Sequence, residues 1–149
     1  MSTQPVIIEQ LLDAAPQTVW SALTDVEIMK NWYFHLHEFK AEVGFQFQFT
    51  GGNEEGIKYL HVCEVTEADF QSKLTYSWRY DGYDGVSYVT FDLFQQDKNT
   101  LLRLTHSGLE TFPAENLDFA TANFQKGWDE IIRVSLKNYL HSLFVQASR

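Results

Sequence analysis

The chain is 149 residues long, about the size of one domain, and is 44% hydrophobic and 21% charged, proportions that exclude a disordered polypeptide. Its formal net charge of -9 repels phosphate backbones and anionic headgroups, so neither nucleic acid nor a membrane surface is an expected partner. Cys63 is the only cysteine, which rules out an intrachain disulfide and a Cys-based zinc site. The start, "MSTQPVIIEQLLDAA", has neither a basic region nor an unbroken apolar run, and no later stretch reaches the ~18 apolar residues of a spanning helix. A reducing cytoplasm is therefore the expected location.

In chain order, the apolar, β-rich Val6 to Leu12 predicts a first strand. "PQTVWSAL" predicts a helix with Pro16 in its first turn and Val19, Trp20 and Leu23 on one stripe. "TDVE" has the form of a capping box, Thr24 accepting from the Glu27 amide and the Glu27 carboxylate reaching back, so a second short helix is expected from Asp25 to about Trp32. The period then changes to two. "FQFQF" sets Phe45, Phe47 and Phe49 against Gln46 and Gln48, the pattern of a half-buried antiparallel strand. "TGGNEEG" is a turn, with Glu54 and Glu55 reading as solvated charge, and Ile57 to Val65 returns. "SKLTYSWRY" separates Leu74, Tyr76, Trp78 and Tyr80 from Lys73, Thr75, Ser77 and Arg79. Val86 to Phe94 and "TLLRLTHSG" complete the strands, giving about six after the helical pair.

The tail returns to helical spacing. Leu117, Phe124, Trp128, Ile131, Ile132, Leu136, Tyr139, Leu140 and Leu143 predict one amphipathic helix of about twenty-five residues. Together these elements predict a single α+β domain: a curled antiparallel sheet of six to seven strands, two short helices after the first, and a long C-terminal helix covering the concave face. No linker, repeat or low-complexity tract marks a second domain.

Three stretches carry a family resemblance: "APQTVWSALTD", "LRLTHSGLE" and "KGWDEIIRVSLKNYL". They resemble the opening, last strand and closing helix of the SRPBCC (START-like, birch-pollen-allergen-like) helix-grip proteins. Within these the chain looks most like the group named for the activator of the heat-shock protein 90 ATPase. "EVGFQF" departs from the Gly-Gly that many members have before the second strand, which puts a close backbone approach near Val43 in doubt. "EADF" departs from the family's "PP" before the fourth strand, without consequence for the fold. The resemblance implies a helix-grip fold with a cavity between sheet and helix, used by different members for lipids, hormones or polyketides. It implies no single catalytic constellation and no cofactor.

The residues open several readings. "NWYFHLHEF" puts aromatics before His35 and His37, which with Glu38 can begin a metal site, shape a pocket mouth, or simply be polar residues at a helix exit. No second compact ligand cluster supports a metal. His106, in phase with Leu102 and Leu104, points to the covered face, as a hydrogen-bonded core residue or as a proton donor. Tyr76, Trp78 and Tyr80, with Tyr88 on the neighbouring strand, form an aromatic stripe that reads either as core or as cavity wall. Four polar-tipped rings need partners, and a wet pocket supplies them. Phe47, Phe124 and Trp32 complete the expected lining, with Trp128 as a plug at one end. Trp20 reads as a helix-to-core anchor. Gly127 in mid-helix makes sense if the backbone approaches the sheet closely. Cys63 reads as a buried, inert thiol.

Three functions follow: a domain that binds or senses a small apolar or aromatic molecule; a chaperone-interaction module, implied by the resemblance and its link to stress response; or a cyclase- or aromatase-type enzyme acting through His106 or a tyrosine. The chaperone activity belongs to a member with an additional N-terminal domain, which is not expected here. The binding reading is preferred over catalysis, and a homodimer is an open possibility.

Overall fold

The computed structural model describes residues 4–52 and 55–147. Glu54, expected in the turn, lies outside the described residues. The elements are β1 (Val6–Leu12), α1 (Pro16–Thr24), α2 (Val26–Met29), β2 (Gln46–Gly52), β3 (Lys58–Asp69), β4 (Lys73–Tyr80), β5 (Ser87–Gln96), β6 (Asn99–Ser107), α3 (Thr121–Trp128), a π-helical segment (Asp129–Leu136) and α4 (Lys137–Ala147). All six strands form one antiparallel sheet in the order β1-β6-β5-β4-β3-β2. Five strands, not six, follow the helical pair, and the sixth place in the sheet is taken by β1, which returns to lie beside β6.

Alternation orients the sheet. Phe47 and Phe49 are buried while Gln46 and Gln48 are exposed, and Leu74, Tyr76, Trp78 and Tyr80 all turn inward. The register carries this across the strands: Cys63 lies opposite Trp78, Tyr76 opposite Val89, and Val89 opposite His106. A bulge between Val65 and Glu67 shifts the β3–β4 register, and bulges of this kind bend a strand and add twist.

The capping box is not formed. The Thr24 hydroxyl donates to the Trp20 carbonyl inside α1 (2.8 Å), and Asp25 caps α2, its carboxylate accepting from the Glu27 amide (2.9 Å). Asp25 outcompetes Thr24 because it is itself a good N-cap and sits where the chain is already extended, at φ -97° and ψ 116°. Glu27 turns to Lys30 instead (3.1 Å), and α2 ends at Met29, shorter than expected.

The tail is helical from 121 to 147, and its fully apolar seam is Phe124, Trp128, Ile132, Leu136 and Leu140, one residue in every four. Four residues of α-helix overshoot one full turn by about 40°, so a strict four-residue seam would spiral away from the sheet. The central π-helical segment turns less per residue and brings the seam back. Leu117, placed by periodicity on this helix, is 77% exposed in a short 3-10 turn, Leu117–Phe119, ahead of it. Gly127 faces outward, and a Cβ there would meet nothing within 4 Å, so close approach to the sheet does not explain this glycine.

Candidate functional site

Between the sheet and the C-terminal helix lies a continuous body of aromatic rings. Trp128 from α3 descends onto β4 and β6, 5.6 Å from the Trp78 ring and 5.9 Å from the His106 ring. Phe124 meets the edge of His106 at 5.0 Å. Phe47 and Tyr76 pack edge to face at 5.0 Å, and Tyr80 stacks on Phe119 at 4.5 Å.

The polar tips of these rings are satisfied inside the protein. Trp78 Nε1 donates to the Tyr80 hydroxyl (2.9 Å), and the Tyr76 hydroxyl bonds that of Tyr33 (2.6 Å). Trp32 Nε1 donates to the Ala22 carbonyl (2.9 Å). The wet pocket that the sequence suggested as a source of partners is thus replaced by neighbouring side chains and backbone. Burial holds the Tyr76 and Tyr80 phenols well above their ordinary range, so both stay neutral donors and acceptors. Two open depressions of the described surface lie elsewhere, one beside Thr50, Gly51, Gly52, Gly56 and Lys58, the other at Asp13 and the β5–β6 turn, Asp97 to Asn99.

His106 is fully buried and bonded on both ring nitrogens. Trp128 Nε1 donates to Nδ1 (2.9 Å), so Nδ1 carries no proton and the neutral ring holds its proton on Nε2. Nε2 lies 2.7 Å from Ser87 Oγ and donates to it, and Ser87 Oγ–H donates in turn to the Trp78 carbonyl (2.9 Å). Ser87 and His106 stand at the distance of a nucleophile and its base, yet the proton order runs the wrong way for activating the serine. Burial lowers the His106 pKa to about 3, consistent with a neutral structural ring. This order does not favour the proton-donor role considered for His106.

Several rings of this body come from neither sheet nor helix, among them Trp32, Phe39 and Phe112. Tyr33 and Phe34 belong to the irregular segment 30–45 between α2 and β2. Tyr33 stacks on Trp32 (4.8 Å) and Trp128 (6.2 Å); Phe34 stacks on Phe49 (4.5 Å) and meets His61 (5.7 Å) and Trp78 (6.3 Å). Among the described residues, no backbone amide from Phe34 to Val43 donates to a backbone carbonyl. The segment is pinned instead by its buried side chains Trp32, Leu36 and Phe39, while Tyr33 and Phe34 are only partly buried.

Of the residues expected to line a cavity, Trp32, Phe47, Tyr76, Trp78, Tyr80, His106, Phe124 and Trp128 are buried and meet in this body of rings. Three do not join it. Tyr88 is 40% exposed on the outer face of β5, because Val89 and Phe91 take the inward phase. His35 and His37 flank the buried Leu36 and point outward from the loop instead of starting a strand. Among the described residues, no three His, Cys, Asp or Glu side chains converge as a metal ion would require. The sequence reading missed Tyr33, Phe34, His61 and Ser87. The consecutive aromatics of "WYF" were the available signal for the first two, whereas His61 was legible only through its alternation with Tyr59 and Cys63. His61 now lies flat on Phe49 (4.4 Å), its pKa lowered by burial to about 4.

Comparison with known proteins agrees with this architecture. The protein MLL2253 from Mesorhizobium loti is 26% identical, with a TM-score of 0.74 over 93% of this chain and 98% of that one. CV1439 from Chromobacterium violaceum is 19% identical, with a TM-score of 0.77 over 92% and 96%. DynU16, described as a putative protein in the dynemicin biosynthetic locus, is 20% identical with a TM-score of 0.74, and the match covers 93% of this chain but 48% of that one. A comparison with curated proteins finds no match. The family model "Activator of Hsp90 ATPase homolog 1-like protein" matches residues 13–141. With the helix-grip architecture and the ring-filled space beneath its helix in view, the chain belongs to the activator of Hsp90 ATPase homolog 1-like family of the SRPBCC superfamily.

Proposed function

We propose that the domain binds a small apolar, aromatic molecule between the sheet and the C-terminal helix, in the place that Tyr33 and Phe34 occupy. The observation that carries this reading is the origin of those two rings. Regular elements supply most of the rings here, but a stacking partner of Trp128, Tyr33, and one of Phe49, Phe34, come from the point where α2 gives way to a loop: the Tyr33 amide still closes on the Met29 carbonyl (2.7 Å), and from Phe34 to Val43 no amide donates to a backbone carbonyl among the described residues. Such a segment opens without breaking a strand ladder, and what it leaves behind is a slot with aromatic walls. A relative described as belonging to a biosynthetic locus is in keeping with a small-molecule role.

The test is a thermal-shift screen of an aromatic and fatty-acid panel on the wild type and on Trp78→Ala. A ligand at a hundred times its dissociation constant adds about 2.7 kcal/mol of apparent stability. The reading expects wild-type stabilisation by aromatic members of the panel, changed in rank by Trp78→Ala. A wild type that responds to none of them ends it.

One observation favours a second reading, an interaction module for a chaperone. The polar tips of Trp32, Tyr33, Tyr76, Trp78 and Trp128 are paired within the protein, as in a core that needs no guest. A silent ligand screen combined with direct binding to a purified chaperone of the heat-shock protein 90 class would select it.

A further inference from the structure

Tyr33 does more than fill space, because its hydroxyl is the hydrogen-bond partner of Tyr76 at 2.6 Å. Tyr76 is 1% exposed, near the middle of β4, and its neighbouring rings, Phe39, Phe47 and Phe91, offer no hydrogen-bonding group. When Tyr33 swings out, the Tyr76 hydroxyl is left buried without its partner, which is costly unless the guest supplies one. The rings around Tyr33 itself, Trp32, Phe34, Phe49 and Trp128, carry no charge and present electron-rich faces, so an anionic guest would lose its hydration without gaining a counter-ion. Tyr33 is thus a template for the ligand: a flat six-membered ring, stacked against indole, with one neutral hydroxyl at its leading edge.

We infer that the slot selects neutral hydroxylated aromatics, phenols and not hydrocarbons or aryl carboxylates, with Tyr76 as the residue that reads the hydroxyl. This rests on the binding reading above, and a site that requires a hydroxyl discriminates strongly against the analogue lacking it.

Titration calorimetry on Tyr33→Ala, which removes the internal phenol, tests the inference with p-cresol, toluene and 4-methylbenzoate. The expected result is p-cresol binding about tenfold tighter than toluene or more, no measurable 4-methylbenzoate binding, and loss of the preference in Tyr33→Ala/Tyr76→Phe. Equal affinity for p-cresol and toluene overturns the selection of a hydroxyl and leaves the slot itself standing. Binding of neither by a folded variant overturns both. If Tyr33→Ala does not fold, the wild type and Tyr76→Phe titrated with 2-naphthol and naphthalene serve the same purpose. There a preference for 2-naphthol is expected in the wild type alone; no preference in the wild type overturns the selection of a hydroxyl.

Discussion

The Trp128–His106–Ser87 chain and the Tyr33–Phe34 pair fill adjoining parts of one interior but are held in opposite ways. The first runs from helix to sheet, every group fully buried and its proton order dictated by its neighbours. The second starts where the Tyr33 amide makes the last backbone bond to α2, at the Met29 carbonyl, and continues into a loop held by side-chain contacts, with two rings only partly buried. Rings supplied by regular elements are fixed by the ladders and helix turns behind them; rings supplied by the loop can leave without disturbing those ladders. The same aromatic composition is therefore fixed by regular elements in one half and carried by a loop in the other.

Breaking the fixed half is expected to cost most. Truncation after Gly108 removes Phe124, Trp128, Ile132, Leu136 and Leu140 and opens the inner face of the sheet, so the product is expected to aggregate or to show no cooperative melt by circular dichroism. Trp128→Ala creates a cavity and strips His106 Nδ1 of its donor. Denaturant unfolding should show a loss of ~3 to 5 kcal/mol, against about 1 to 3 kcal/mol for Tyr33→Ala, which takes the partner from the Tyr76 hydroxyl but removes a ring that is only partly buried. Comparable losses for the two would erase the distinction between the halves.

Acid separates them further. His61 and His106 have folded pKa values lowered to about 4 and about 3, below the usual ~6.5 of an unfolded histidine. A depressed histidine keeps its full stabilising share above about pH 6.5. As pH falls below that value the unfolded chain takes up protons that the folded chain refuses, and stability drops by up to ~1.4 kcal/mol per pH unit for each histidine until its folded pKa is reached. Unfolding free energies measured between pH 7 and 4.5 should slope accordingly. His61→Gln should flatten the slope by about one proton, and an unchanged slope would mean that His61 is not buried neutral.

The smallest expected effect is a gain. Gly127 lies in a helix, faces solvent and has open space where a Cβ would go, so Gly127→Ala should stabilise by about 0.5 to 1 kcal/mol in thermal melts. A loss would mean that the helix needs close approach or an unusual backbone at this position.

Strand positions were legible wherever alternation was strict. The inward faces of β2 and β4 follow from "FQFQF" and "LTYSWRY" alone, and His106 follows from its phase with Leu102 and Leu104. Tyr88 was misread because an aromatic attracts an inward assignment, although the phase of Val89 and Phe91 points it out. The π-helical segment was not foreseen, but its signature, an apolar residue at every fourth position from Phe124 to Leu140, is in the sequence. Gly127 misled because a helix-interior glycine suggests a packing reason that this one does not have. The loop was least legible. "NWYFHLHEF" has no period, and its histidines drew the eye while Tyr33 and Phe34, the rings that turn inward, are set by tertiary contacts with Trp128 and Phe49.

If the loop rings hold a ligand's place, the nuclear Overhauser contact between the Tyr33 ring and the Trp128 indole reports it, followed as an aromatic ligand from the screen is added. This contact is expected to disappear on saturation while the Trp128 Nε1–H resonance stays shifted and protected by its bond to His106. A saturated complex in which Tyr33 remains stacked on Trp128 would contradict it.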